Sequence, residues 1–219
     1  MKTVADIYRE YRIMPSLQLH QLRVAGVAKL VCEQSMKPVD THTVVLAGLF
    51  HDMGNIIKSD LRYFPEFVEP EGLEYWEQVK ADFVSKYGTD HHRANVAIAR
   101  EVGIPEASVA LIDGIGFSKL PEVVSDGSLE RKVLQYADMR VGPHGILSLP
   151  ERLEEGRARY QKTRTERPYY GSDEEFRRLD SVAEEVERQV MSQTNLAPED
   201  LNDASVAPLI EQLRKYTVA

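Results

Sequence analysis

One segment, residues 42–55 (HTVVLAGLFHDMGN), constrains the fold of this chain more than any other. Its apolar residues lie nearly all round a helical wheel, which predicts a helix in the middle of a hydrophobic core. Asp40 or Thr41 can cap the N-terminus of this helix. The predicted helix ends with the pair His51-Asp52, where burial makes an unpaired charge costly. The pair therefore needs a compensating partner, and a bound metal cation would provide one.

The rest of the chain also shows helical periodicity, and alternating strand patterns are nearly absent. We therefore predict an all-α fold, with a helical core over residues 1–150 and additional charged helices over residues 151–219. The C-terminal helices are expected to pack on the core or on a partner subunit. Besides residues 42–55, the predicted helices span residues 3–12, 17–34, 73–87, 91–102, 105–115, 128–141, 174–191 and 205–216.

Composition excludes several classes of protein. The formal net charge is −8, which argues against a nucleic-acid polymer as partner, because such binding needs a cationic surface. No apolar run approaches the roughly 20 residues of a membrane span, and the first residues lack the apolar stretch of a signal peptide. The single cysteine, Cys32, excludes an intrachain disulfide and a cysteine-built zinc site. We expect a cytoplasmic protein with no membrane partner, in which Cys32 is a core residue.

Two further polar residues interrupt apolar helical stretches. His20 lies in the predicted second helix, and Asp138 lies in the segment LQYADMRV. Together with His51 and Asp52, they give three helices that each carry an inward-facing polar residue, which is how helical bundles build metal sites. Neutral imidazole and carboxylate groups are suitable ligands for divalent metals.

The ordered pattern of His20, then His51-Asp52, then Asp138 resembles the HD-domain superfamily of metal-dependent phosphohydrolases, and it covers residues 17–141. The resemblance implies an all-α core that holds one or two divalent metals, with these four residues as ligands. Mn, Mg, Fe, Co, Ni and Zn are not distinguished by it. Members of the superfamily often add histidines that recruit a second metal.

The segment HHRANVAIAREVG resembles the next motif of that superfamily, but spacing does not decide between His91 and His92. Adjacent helical residues point about 100° apart, so one of the two is expected to face the site. We slightly favour His92, because Ala99 lies seven residues on along the buried stripe. The next histidine that the resemblance implies is absent, and Asp113 lies in its segment instead.

Phosphate recognition needs positive charge near the metal ligands. Many relatives carry Lys three residues after the Asp of the pair, and some carry an acid, whereas this chain has Asn55. Asn cannot act as a general acid at neutral pH. Asp52, Lys58 and Arg23 are the predicted catalytic residues. The candidate phosphate contacts are Arg23, Lys58, Arg93, Lys119 and Arg140.

These features favour a metal-dependent phosphohydrolase that acts on a small phosphate ester, such as a nucleotide or another phosphorylated metabolite. Two alternatives remain: a non-catalytic ligand-sensing or scaffold module, and an HD-type di-iron oxygenase. The aromatic and acidic segment over residues 60–76 is either a lid over the site or a packed loop. A homodimer through the C-terminal helices is a further possibility.

Overall fold

The computed structural model describes residues 2–163 and 173–218. Within these residues the chain forms eleven α-helices and isolated β-bridges but no β-strand, so the predicted all-α fold is confirmed. The helices are α1 (Val4–Glu10), α2 (Pro15–Glu33), α3 (Thr41–Phe50), α4 (Leu73–Tyr87), α5 (His91–Val102), α6 (Glu106–Gly114), α7 (Leu120–Ser125), α8 (Leu129–Arg140), α9 (Leu149–Thr163), α10 (Asp173–Met191) and α11 (Asp203–Arg214).

Helix α3 occupies the centre of the core, as its apolar sequence predicts. All its residues from Val44 to Phe50 are buried, and it packs against α2, α6 and α8. The approach of α2 is close at Gly48, where an added Cβ would lie 3.0 Å from the Ala25 Cα. Glycine suits this position because a side chain would press on the α2 backbone. This close packing brings His20 on α2 toward the end of α3.

The prediction that α3 continues to Asn55 is wrong. The α-helix ends at Phe50, and a turn leads into a short 3₁₀-helix, Asn55–Lys58. Helix α5 packs against this 3₁₀-helix and comes close to Gly54, where an added Cβ would lie 2.6 Å from the Ala94 Cβ. The Asn95 side chain also accepts a hydrogen bond from the Gly54 N–H at 2.6 Å. His51 and Asp52 therefore lie in the turn that follows α3.

The C-terminal helices pack on the core of the same chain. Helix α11 lies on α2, where the Val206 side chain fills the space above Gly26. Helix α10 packs against α7 and α8, and α9 packs against α8. The division at residue 150 and a homodimer through these helices stay predictions. Across residues 2–163 and 173–218, every helix is too short or too polar to cross a lipid bilayer.

Candidate metal centre

The four predicted ligands converge at one place, although they lie far apart in sequence. Ligand atoms of His20, His51 and Asp52 all lie within 4.8 Å of one another. The Asp138 Oδ1 atom lies 3.3 Å from His20 Nε2 and 3.4 Å from His51 Nε2. Asp52 Oδ2 lies 3.5 Å and 3.7 Å from the same two nitrogens. Helices α2 and α8 and the turn after α3 thus form a four-residue cluster.

The orientation of His51 leaves one ring nitrogen available to a ligand. Its Nδ1 is 2.8 Å from the Gly48 carbonyl oxygen, which can only accept, so Nδ1 carries the proton of that hydrogen bond. Its Nε2 is buried and has no hydrogen-bond partner among the described residues. A buried polar atom without a partner is costly. This nitrogen, with three further nitrogen and oxygen donors around it, fits a divalent metal.

The electrostatics of the cluster also favour a cation. Burial alone would lower the pKa of His51, but the Asp52 and Asp138 carboxylates outweigh burial and raise that pKa to about 9. Burial alone would raise the pKa of Asp138, but the His20 and His51 rings hold it well below its usual range. The two carboxylates thus create a position for positive charge, which a proton or a metal ion can fill.

Two buried side chains that sequence reasoning missed orient the cluster. The Gln21 Oε1 atom accepts a hydrogen bond from the Asp52 N–H at 3.2 Å, and the Gln21 side chain is fully buried. Asn95 holds Gly54, two residues beyond Asp52. Both are polar residues within apolar helical stripes, and that signal could have identified them. Such outer partners fix the geometry of ligands.

His91, rather than His92, lies on the side of α5 that faces the cluster. His91 precedes Asn95 by four residues, so the two side chains share one helix face, and Asn95 contacts the turn after Asp52. Burial and the charge of Lys58 lower the pKa of His91 to about 4, while Asp52 acts in the opposite direction. His91 is therefore neutral at pH 7 and can accept a metal.

His92 has other partners. Its Nε2 lies 3.0 Å from Asp113 Oδ1 and 3.0 Å from Lys119 Nζ. The structure thus places Asp113 beside His92, outside the four-residue cluster, and holds Lys119 there as well. The preference for His92 over His91 does not agree with this placement. Asp113 lies near the end of α6 and Lys119 lies in the segment after it, contacts that the stripe to Ala99, buried as expected, does not reveal.

Two of the predicted phosphate contacts have structural partners instead. Arg140 is buried, and its guanidinium donates to the carbonyl oxygens of Leu147, Pro198 and Leu201. It therefore ties the segment before α11 to α8. Arg23 forms an ion pair with Asp203, with Nε and Oδ1 3.0 Å apart.

Arg93 and Lys58 are the exposed candidates. The Arg93 side chain is 87% exposed and pairs with Asp90 on its own helix. Lys58 is exposed at the end of the 3₁₀-helix, where its charge acts on the pKa of His91. Of the five predicted cations, Lys58 is thus placed best to meet a ligand of the cluster.

Asn55 is buried three residues beyond Asp52, and its Oδ1 atom has no hydrogen-bond partner in the part of the chain that the structure describes. Its backbone N–H donates to the Asp52 carbonyl oxygen at 3.0 Å. Asn55 therefore supports the 3₁₀-helix, and the positive charge that Lys provides in many relatives has to come from elsewhere.

A comparison with protein-family models matches residues 18–139 to the HD domain. The match covers more than half of the chain and includes all four residues of the cluster. The chain belongs to the HD domain family. The resemblance to the HD superfamily is thus confirmed. Searches of curated proteins and of solved structures gave no significant match.

Membership indicates the superfamily of metal-dependent phosphohydrolases, whose domains generally bind divalent metals. In this HD domain, the match begins on α2 and ends on α8, and it also contains His91 and His92. Helices α9, α10 and α11 lie beyond the matched residues. Any contribution of those helices to the metal centre therefore lies outside the family match.

Proposed function

We infer that this HD domain is a metal-dependent phosphohydrolase that acts on a small phosphate ester, in particular a nucleotide. The observation that carries this proposal is the convergence of His20, His51, Asp52 and Asp138 around the buried Nε2 of His51, which has no hydrogen-bond partner among the described residues. A divalent metal in such a site acidifies a bound water and polarises a phosphoryl oxygen. The remaining chemistry falls to the side chains around the cluster.

The roles of these side chains follow from their positions. His20, His51, Asp52 and Asp138 would hold the metal, and Asp52 can also orient the attacking water, because its backbone is fixed by Gln21. Lys58, at the rim, would neutralise phosphate charge. The overall charge of −8 repels polyanions such as nucleic acids, which favours a small substrate over a polymer.

The donor set supports one metal, and His91 offers a place for a second. Nitrogen and oxygen donors suit several divalent ions, and metal identity follows availability as much as affinity. His91 is neutral above pH 4 and lies on the face of α5 that contacts the turn after Asp52. A second ion held by His91 would sit beside Asp52.

A turnover screen on the purified protein tests the proposal. Phosphorylated metabolites and nucleotides are incubated with protein loaded separately with Mn²⁺, Mg²⁺, Co²⁺, Ni²⁺, Zn²⁺ or Fe²⁺, and released phosphate is measured. We expect metal-dependent turnover that Asp52→Asn lowers at least about a hundredfold, since removal of a charge that acts in the transition state has effects of that size. The exposed Asp60→Asn is the matched control and should retain the wild-type rate.

Two results would contradict the proposal. Bound metal without turnover on any phosphate ester would indicate a ligand-sensing or scaffold module. Two iron ions per chain after aerobic purification, with oxygen consumption and no phosphate release, would indicate an oxygenase.

A further inference from the structure

A row of ion pairs on α9, formed by Arg152, Glu155 and Arg159, begins next to the metal centre. Arg152 donates from Nε to the Val141 carbonyl oxygen at 3.0 Å, and Val141 lies three residues beyond Asp138. Glu155 pairs with Arg152 at 2.9 Å on one side and with Arg159 at 3.3 Å on the other. Arg159 follows Arg152 by seven residues, about two helical turns, so both lie on one face of α9. The row carries a net charge of +1.

Arg159 lies within electrostatic range of the cluster. Burial and the neighbouring Arg152 lower its pKa, while Glu155, Tyr63 and Asp138 act in the opposite direction. The groups that affect Arg159 therefore include a ligand of the proposed metal and a tyrosine from the loop that follows the 3₁₀-helix. Arginine stays protonated in proteins, so the guanidinium retains its charge.

That loop packs beside the turn after α8. The Phe64 and Phe67 rings each lie 5.3 Å from the His144 ring, between centroids. Tyr63 contacts Phe64 edge to face, with ring centroids 4.6 Å apart. The loop, the turn and α9 thus surround the same end of α8, where Asp138 lies.

The arginines predicted from the sequence as phosphate contacts supply positive charge to the metal centre less directly than Arg159 does. Arg140 donates to three carbonyl oxygens, Arg23 pairs with Asp203, and Arg93 pairs with Asp90 at the surface.

We propose that Arg159 binds the phosphoryl group of a phosphomonoester at the metal centre. A planar guanidinium matches two phosphoryl oxygens, and Glu155 holds its Nε edge in place. This inference rests on the proposed phosphohydrolase function, and it extends the site to α9, beyond the matched residues.

Phosphate binding to the metal-loaded protein tests the proposal without a known substrate. Inorganic phosphate is titrated by calorimetry into Mn²⁺-loaded full-length protein that has been freed of unbound metal. The variants are Arg159→Gln, Arg159→Lys and, as the matched control, Arg157→Ala, which removes an arginine from α9 that pairs with Asp180 on α10. Mn²⁺ content and melting temperature are measured for each variant.

We expect Arg159→Gln to raise the phosphate Kd at least about tenfold, equivalent to about 1.4 kcal/mol, while Mn²⁺ content stays unchanged. Arg159→Lys should recover part of the affinity, and Arg157→Ala should bind phosphate as the wild type does.

Three results would overturn the proposal. Wild-type affinity in a folded Arg159→Gln variant refutes the role of Arg159 alone. An equal loss in Arg157→Ala shows a general charge effect rather than a contact. Failure of the Mn²⁺-loaded wild type to bind phosphate refutes the phosphohydrolase proposal and the role of Arg159 together.

Discussion

The Asn95 Oδ1 atom accepts a hydrogen bond from the Gly54 N–H at 2.6 Å, and this contact holds the turn that carries His51 and Asp52. Asn95 is buried in α5. Helix α5 therefore helps to position the pair of residues that we propose as metal ligands. His91 lies one turn earlier on the same helix, and the Asp52 charge acts on its pKa.

Gly54→Ala should destabilise the fold and loosen the metal centre. An added Cβ would lie 2.6 Å from the Ala94 Cβ and 3.0 Å from Asn95 Oδ1. We expect the free energy of unfolding to fall by about 1–3 kcal/mol, the usual effect of overpacking. Urea denaturation measures this change. Gly127→Ala is the control, since an added Cβ there meets nothing within 4 Å. Equal stability of the two variants would contradict the packing argument.

His51→Ala and Asp52→Ala should each lose bound metal. The two residues contribute neighbouring donors to the cluster, so removal of either leaves an incomplete ligand set. Elemental analysis is expected to find at least one divalent ion per wild-type chain and much less in either variant. Chelation should lower the wild-type melting temperature, because a ligand at a hundred times its Kd stabilises the folded state by about 2.7 kcal/mol. The exposed His42→Ala is the control. Full metal content in both site variants would refute the assignment.

His91→Ala should lower the metal content further than His92→Ala. The low pKa of about 4 keeps His91 neutral and able to bind metal at pH 7, whereas His92 is engaged by Asp113 and Lys119. Metal titration at pH 7 should show loss of a second, weaker ion in His91→Ala only. If neither variant changes the stoichiometry, the site holds one metal and His91 has no part in it.

The main effect of Arg23→Ala should be a lower free energy of unfolding, with a smaller effect on the metal content. Arg23 ties α2 to the first residue of α11 through Asp203, and its side chain is only 16% exposed. We expect a loss of up to about 1 kcal/mol from the ion pair. A double-mutant cycle with Asp203→Ala isolates this coupling. A coupling energy of zero, together with a large loss of phosphate affinity, would indicate that Arg23 binds phosphate instead.

Cys32 should resist alkylation in the folded protein. Burial, followed by the charge of Glu130, raises the pKa of the Cys32 thiol to about 12, so about one thiol in ten thousand is ionised at pH 8. Iodoacetamide labelling at pH 8, followed by mass spectrometry, should be slow in buffer and fast in guanidinium chloride. The chain has one cysteine, so the label reports on this residue alone. Because the unfolded chain ionises this thiol more readily, stability should fall as the pH rises above 9. Equal labelling rates in the two solvents would contradict the burial.

The sequence by itself determined the helical fold and singled out the four residues of the cluster. Helical periodicity and capping are local properties, and the segment over residues 42–55 is apolar enough to specify a central helix without knowledge of its neighbours. Polar residues within such segments, His20 and Asp138 among them, stand out because burial without a partner is costly. Their order along the chain also carried the family resemblance.

Only the tertiary structure decided the partner of each side chain. Helix α3 ends at Phe50, and α5 packs against the 3₁₀-helix that follows the turn. Arg23 meets Asp203 and Arg140 meets Leu201, contacts between residues far apart in sequence that no periodicity predicts. The effect of the Asp138 charge on Arg159 likewise depends on how α9 packs on α8. Charge and hydrogen-bond partners depend on distances in space, and those distances are set by the packing of the whole core.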